Sequence, residues 1–356
     1  MNGQHAYFFI GLEQAFGFPI TFVDEIEELG IWQVQTPDGE ACLKRFRRYD
    51  EAETATEAAL YLHRRGFAGT PNVILTKDGR PFVRTTISDP SWWLALFEFI
   101  PGEGGGPAPN LYAYKDLCDK NDTSFEAALV KAAQVLAGFH EAIRGFRTWP
   151  VDRDVQFWIE NRRRTEHLTT LLQGVLENEE RREVREALED CLGIYDPSLL
   201  RRSVSQAEQA AELYKSVIGQ EKKQKGMRHC DTHAGNFLVG ANGITLMDLA
   251  EVQAGPRVYR DLGCLTWALG GDNDEMTEAL MAYHEIARLS RDEIELFPII
   301  NDPVDNWRKL LEGYLSGDWS EEWITPYYSG SVKPYERISN RLSLATEALR
   351  SSANNS

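Results

Sequence analysis

The segment from residue 228 to residue 248 constrains this chain more than any other. Arg228-His229-Cys230-Asp231-Thr232-His233-Ala234-Gly235-Asn236 runs into the apolar Phe237-Leu238-Val239, and a few residues later comes Leu246-Met247-Asp248. Two short apolar runs flanking polar loops read as strands, so Asp231 and Asn236 share one loop and Asp248 ends the next strand. Two carboxylates and a carboxamide brought together in this way suit phosphoryl transfer from a magnesium nucleotide. That chemistry needs one acid to orient the attacking hydroxyl and take its proton, and an acid and an amide to hold the metal ions that bridge the phosphates. Asp231 fits the first role; Asn236 and Asp248 fit the second.

On these residues the chain resembles the aminoglycoside phosphotransferase and choline kinase superfamily, which has a protein-kinase-like fold. His229 through Asn236 is similar to that group's HGDLHPGN loop. Leu246-Met247-Asp248-Leu249 is similar to its metal-binding strand end, and Pro256 through Arg260-Asp261-Leu262-Gly263 to its later P...DLA segment. The phrasing of the N-terminal half is most similar to bacterial spore-coat-associated kinase-like proteins. The resemblance implies an α+β, bilobal fold with a small sheet-rich N-terminal lobe, residues 1–102, and a larger, mostly helical catalytic and substrate lobe, residues 103–350. It also implies ATP and Mg2+ as cofactors, a His229 that braces the catalytic loop, and an Asp261 that accepts hydrogen bonds from the loop backbone. His233 is placed either to order the same loop or to approach the substrate.

A chain of 356 residues with 42% hydrophobic content can bury the core that two lobes require. No apolar run approaches the ~20 residues of a membrane helix, and Met1-Asn2-Gly3-Gln4-His5 lacks the features of a signal peptide. The expectation is a cytoplasmic protein without a membrane or nucleic-acid partner, since a formal charge of −17 opposes binding to a polyanion. Cys42, Cys118, Cys191, Cys230 and Cys264 are scattered and form no CxxC pair, so reduced thiols are expected rather than a disulfide framework or a zinc site.

Along the chain, an amphipathic stretch from Ala6 to Phe18 precedes alternating segments at 20–29 and 31–35. Thr36-Pro37-Asp38-Gly39 then turns the chain into Ala41-Cys42-Leu43-Lys44, and the three strands read as a β-meander. A helix is expected from Glu51 to Arg65, then a hairpin-like pair around 72–75 and 81–86, and a last strand over 94–100 that stops at Pro101-Gly102. Beyond the glycine- and proline-rich linker, Thr123-Ser124-Phe125-Glu126 reads as a capping box. It opens a helix whose Leu129, Ala133, Leu136, Phe139 and Ile143 recur at helical spacing. The tail from Ser351 to Ser356 is expected to fray.

In a kinase-like lobe the third strand carries a lysine to the nucleotide phosphates and a helix carboxylate positions it. Lys44 is that lysine; Glu57 is the first candidate for its partner and Glu53 the alternative. A GxGxxG loop is missing, for the first two strands are joined only through Glu28-Leu29-Gly30-Ile31. Adenine recognition falls to the segment joining the lobes, Glu98-Phe99-Ile100, with Phe97 or Phe99 as a wall for the purine.

The acceptor is expected to be the hydroxyl of a small molecule. Asp272, Asp274, Glu275, Asp302, Asp305, Asp318 and Trp307, Trp319, Trp323 would suit an amine-bearing alcohol through ion pairs and cation–π contacts. Two other classes stand against this reading. A noncatalytic kinase-like structural protein, such as a spore-coat component, predicts poor nucleotide binding. A protein kinase would need a long peptide-docking loop, yet Asp248 is followed within a few residues by Pro256 and Asp261.

Overall fold

Strand pairing begins where alternation in the sequence is strongest. The structure, a computed structural model, describes residues 11–27, 30–85, 92–146, 170, 202, 205–206, 208–210, 212–213, 216, 227–258, 261–268, 273–302 and 335–354. β1 (Thr21–Glu27), β2 (Ile31–Thr36) and β3 (Gly39–Phe46) form the expected antiparallel meander. Its tight turn closes on the Thr36–Gly39 pair, with Gly39 at φ +123, a conformation that a side chain would strain. On β3 the period of two divides the labour. Ala41 and Leu43 are fully buried on one face, and Cys42, Lys44 and Phe46 turn to a cavity on the other.

Helix α1 (Tyr49–Arg64) follows, then β4 (Val73–Ile74), β5 (Val83–Arg84) and β6 (Trp93–Glu98). The segments expected to pair as a hairpin do not pair with each other. β4 bonds to Phe97 and Leu96 and β5 to Leu94 and Trp93, so both lie along one edge of β6 while β3 takes the other. A two-residue strand gains more by joining an existing sheet than by forming an isolated ribbon. Leu12, Phe16 and Ile20 pack with Val34, Leu43, Leu94 and Leu96 to cover the outer face of this sheet. Burying each such leucine fully contributes roughly 1.5–3 kcal/mol.

The chain then becomes helical. α2 (Leu111–Asn121), in the stretch after the linker that was expected to be mostly helical, is capped by Asn110, which accepts a hydrogen bond from the Ala113 N–H at 3.0 Å. Asp122, at φ +53, ends α2 in the left-handed region, which moves the start of α3 (Glu126–Ala142) past the expected capping box. The N-cap position is Phe125, and Ser124 Oγ accepts only the Glu126 N–H. All five apolar positions expected on α3 are buried, and with α5 (Asn273–Ile286) they form the middle of the larger core. Before α5 the chain makes β7 (Met227–Arg228), the hairpin β8 (Phe237–Gly240) and β9 (Gly243–Leu246), β10 (Gln253–Ala254) and α4 (Asp261–Ala268). α6 (Arg291–Ile300) and α7 (Tyr335–Asn354) complete the described elements. The tail does not fray where expected, for Ser351 to Asn354 extend α7.

Two links bring the sheet against the helical part. Leu246 N–H donates to Gly69 O at 2.8 Å, and the segment joining the lobes bonds to the β8–β9 hairpin, with Val239 N–H donating to Pro109 O at 2.8 Å and Ala241 N–H to Pro101 O at 2.9 Å. Among the described residues no helix is long and apolar enough to cross a membrane, and Cys42, Cys118, Cys230 and Cys264 are free thiols. Cys191 lies outside the described residues.

Candidate active site

Between the sheet and the helical part lies a cavity of about 470 Å³, within the range of small-ligand pockets. Its walls come from distant stretches of chain. Ile31, Cys42 and Phe97 come from the sheet, Ala55 and Ala59 from α1, Phe99 and Ile100 from the joining segment, and Leu238, Asn236 and Asp248 from the loops around β8 and β9. Phe97 on β6 and Phe99, just beyond its end, both line it. The Ile100 carbonyl accepts the Ala108 N–H at 3.1 Å, while its own N–H has no backbone partner among the described residues. Glu98 lines the cavity as well; its side chain accepts the Asn72 N–H at 3.3 Å and its backbone N–H donates to Asn72 O.

Lys44 Nζ lies 2.8 Å from Asp248 Oδ1. That oxygen is buried and receives no hydrogen bond of proper geometry, so among the described residues the ammonium is its compensation. Asp248 itself sits at φ +57, a left-handed conformation that Asp tolerates better than most residues.

Glu57 does not meet Lys44. Ala55 and Ala59 are the α1 positions facing the cavity, and Glu57 lies about 200° around the helix from each, in solvent. Glu53 points the same way and accepts a hydrogen bond from the Tyr49 hydroxyl at 2.8 Å. The lysine's carboxylate therefore comes from the end of β9 rather than from the helix.

Asp231 and Asn236 are joined twice. The Asn236 amide donates to the Asp231 carbonyl at 2.8 Å and to Asp231 Oδ2 at 2.9 Å. Asn236 is 8% exposed, and Asp231, just outside the cavity lining, keeps a carboxylate that water can reach. His233 Nε2 stands 3.6 Å from Asp231 Oδ2, where it acts on the carboxylate as a long side-chain hydrogen-bond partner and through its charge. Its Nδ1 accepts the Gly235 N–H at 3.0 Å, which starts the short turn carrying Asn236. His233 is foremost in holding the Asp231 carboxyl below its ordinary range. Partial burial opposes this, and His229 and the Asn236 amide assist it.

The loop is braced from beneath. His229 Nε2 donates to Met247 O at 2.7 Å and Nδ1 accepts the Asp231 N–H at 3.3 Å, a pattern that assigns the neutral Nε2–H tautomer. His229 thus ties the loop to the strand end that carries Asp248. The fully buried Asp261 carboxylate accepts the His229 N–H at 2.6 Å and the Cys230 N–H at 2.8 Å, while its carbonyl accepts the Thr232 hydroxyl at 2.7 Å. These bonds hold Cys230 at φ +75, a conformation costing a non-glycine residue roughly 1–2 kcal/mol.

Sequence reasoning missed two members of this support. His140 on α3 donates through Nε2 to Asp261 Oδ2 at 2.8 Å, and the Tyr283 hydroxyl on α5 donates to His140 Nδ1 at 2.6 Å. Burial pushes the His140 imidazole down, with Asp261 opposing, and pushes the Tyr283 phenol up. Burial also opposes ionisation of Asp261, but His140, His229 and the backbone N–H groups outweigh it and hold the carboxyl below its ordinary range. The signal was present in the sequence: His140 falls one turn after Leu136 on the core-facing stripe of α3, where a histidine needs partners. Among the residues expected on the acceptor side, Asp302 forms an ion pair with Arg202 at 2.7 Å and Glu275 is half-buried on α5. Asp272, Asp305, Trp307, Asp318, Trp319 and Trp323, and the side chain of Asp274, lie outside the described residues.

An antiparallel sheet over a helical body, with a lysine strand facing a paired Asp–Asn loop and a strand-end Asp, defines a kinase-like phosphotransferase fold. A family model described as the phosphotransferase enzyme family matches residues 30–294, and the chain belongs to that family. A comparison with curated proteins found no match. Solved structures share the fold at low identity. An aminoglycoside phosphotransferase from Alicyclobacillus acidocaldarius is 16% identical over 94% of each chain, with a TM-score of 0.61. A spectinomycin phosphotransferase in complex with ADP and spectinomycin is 16% identical over 96% of this chain and 98% of that one, with a TM-score of 0.52. An amicoumacin kinase in complex with AMP-PNP and Ca2+ is 12% identical over 96% and 94%, with a TM-score of 0.53.

Proposed function

We propose that this phosphotransferase moves the γ-phosphoryl group of ATP to the hydroxyl of a small molecule, with a sheet-rich lobe of residues 1–102 closing over a catalytic lobe of residues 103–350. The observation that carries the reading is the Asp231–Asn236 pair beside a cavity that Lys44 and Asp248 also face. In this reading the adenine lies between Ile31 and Cys42 above and Leu238 below, and the Ile100 N–H, which has no backbone partner among the described residues, donates a hydrogen bond to it. The Lys44 ammonium meets the phosphates.

Asn236 and Asp248 suit Mg2+: both are oxygen donors at the cavity wall, and Asp248 Oδ1 is a buried carboxylate oxygen that no hydrogen bond satisfies. When bound, the cation neutralises charge on the phosphate oxygens. Asp231, ionised at neutral pH because its carboxyl is held low, orients the acceptor hydroxyl and takes its proton as the new P–O bond forms and the bond to the leaving ADP breaks. Such a base is weak, which suits a loose transition state in which the nucleophile gives up its proton late.

The acceptor class proposed is an amine-bearing alcohol, on the ground that a chain of charge −17 attracts cations. Complexes of the same fold hold a nucleotide together with spectinomycin, an analogy of fold alone. Calorimetry with ATP and Mg2+, together with phosphate release in the presence of amine-bearing alcohols, tests the proposal on wild type, Asp248→Ala and Asp231→Asn. The expected outcome is loss of metal-dependent binding in Asp248→Ala and loss of turnover with retained binding in Asp231→Asn. No binding at millimolar nucleotide by the wild type would overturn it in favour of a noncatalytic role.

A further inference from the structure

One polar side chain on the floor of the nucleotide cavity has no part in the chemistry described so far. Asn110 stands between the segment joining the lobes and α2, and it lines the cavity together with Ala108, Pro109 and Ala113. Its backbone is held on two sides. The Asn110 carbonyl starts α2 by accepting the Tyr114 N–H at 2.8 Å, and the residue pairs with Leu238 on β8 in an antiparallel bridge. Asn110 is therefore fixed against the hairpin that follows the catalytic loop.

The side chain is constrained as well. Oδ1 caps α2 by accepting the Ala113 N–H at 3.0 Å. An amide whose oxygen is committed in this way has its flip settled, and the NH2 group takes the other position. Among the described residues nothing accepts a hydrogen bond from Nδ2, and on this half-buried residue the atom stays open to solvent. A ligand in the cavity thus meets a donor that is already oriented, so little side-chain freedom is lost on binding.

The two ends of the cavity decide what that donor meets. Leu238 lies below the adenine, while Asn236, Lys44 and Asp248 gather at the phosphate end. Asn236 and Leu238 are two residues apart at the start of β8. The sugar of a nucleoside triphosphate joins base to phosphates, so it crosses the short stretch between them, beside the residue bridged to Leu238. Pro109, Ala113 and Gly235 line the cavity there and bring no polar side-chain group. Glu98, on the joining segment, has its carboxylate engaged by the Asn72 N–H. A sugar hydroxyl drawn out of water needs a hydrogen-bond partner, and Asn110 Nδ2–H is placed to supply one.

We propose, resting on the nucleotide reading above, that Asn110 binds the nucleotide by donating through Nδ2 to a hydroxyl oxygen on the 2′,3′ edge of the ribose. The residue thereby gives the site a preference for ribonucleotides over deoxyribonucleotides. A site built to hydrogen-bond a hydroxyl rejects the analogue that lacks it. Because water can reach Nδ2 when the hydroxyl is missing, the preference is modest, about fivefold, the size of one neutral hydrogen bond.

Calorimetric titration of ATP, 2′-deoxy-ATP and 3′-deoxy-ATP, each with Mg2+, into the full chain tests the assignment on wild type and Asn110→Ser. Serine caps a helix about as well as asparagine, so the melting temperature should hold while the amide is lost. The wild type should bind at least one deoxy analogue about fivefold more weakly than ATP. In Asn110→Ser the affinity for ATP should fall by the same factor and the discrimination should vanish. Asn110→Ala separates the two roles of the side chain, for it should lose the discrimination equally and lower the melting temperature as well. A wild type that binds ATP and both analogues with equal affinity, or a preference that survives in Asn110→Ser, would overturn the role of Asn110 and leave the nucleotide reading standing. Failure of the wild type to bind ATP at all would overturn both.

Discussion

Replacing Asp261 with Asn tests how the catalytic loop is held, because the change keeps shape and removes charge at one oxygen. In the wild type two carboxylate oxygens meet three donors: the His229 N–H, the Cys230 N–H and His140 Nε2–H. An Asn offers one acceptor and presents an NH2 group where the other oxygen was. His140 can answer by shifting its proton to Nδ1 and accepting from the new amide, with Tyr283 turning its hydroxyl to accept. One backbone N–H then remains buried against another donor. Losing a charge-assisted hydrogen bond costs roughly 1.5–3 kcal/mol and orphaning the amide roughly 1–3 kcal/mol more. The sum, about 2.5–6 kcal/mol, brackets the roughly 3–5 kcal/mol that removing one partner from a buried charged set usually costs. Against a typical stability of about 5–15 kcal/mol the variant remains largely folded, but nothing then compels Cys230 to keep φ +75. As Cys230 relaxes, Asp231 moves with it, and misplacement by about 1 Å costs on the order of 10²-fold in rate. Urea denaturation and steady-state turnover read the two effects, with Tyr283→Phe as the control that removes only a neutral hydrogen bond worth about 1 kcal/mol. If Asp261→Asn lay within about 1 kcal/mol of wild type, no further than Tyr283→Phe, the carboxylate would not be what holds the loop.

Burial depresses the His140 pKa, so the unfolded chain binds a proton that the folded chain refuses. Stability should fall as pH drops through the unfolded histidine value of about 6.5, and His140→Gln should flatten the dependence measured by urea denaturation between neutral and mildly acid pH. Replacing His233 with Ala removes the foremost cause of the low Asp231 pKa. The acid limb of the turnover–pH profile should therefore move up towards the ordinary value of about 3.9, and an unmoved limb would exclude Asp231 as its source. Gly263→Ala would place a Cβ 1.9 Å from Asn301 Oδ1, on a side chain whose amide is pinned to Val258 O and Phe297 O. The clash should cost about 1–3 kcal/mol, seen as a lowered melting temperature.

The sequence by itself determined the elements and the chemistry of the loop. Alternation over 31–46, the tight turn at Gly39 and the buried stripe of α3 are local periodicities, and each appears in the fold. The approach of Asp231 to Asn236 across four intervening residues is likewise a short-range matter. Contacts between distant segments were decided only by tertiary structure. Lys44 meets Asp248 across 204 positions instead of Glu57 nearby, because the packing of α1 turns Ala55 and Ala59 to the cavity and sends Glu57 outward. β4 and β5 share an edge of β6 instead of pairing, since hydrogen-bonding partners are chosen by the sheet as a whole. Tyr283, His140 and Asp261 lie on three helices and reach the loop in sequence through space, not along the chain. A periodic pattern tells which face of a helix is buried, but not which residue of another helix that face will touch.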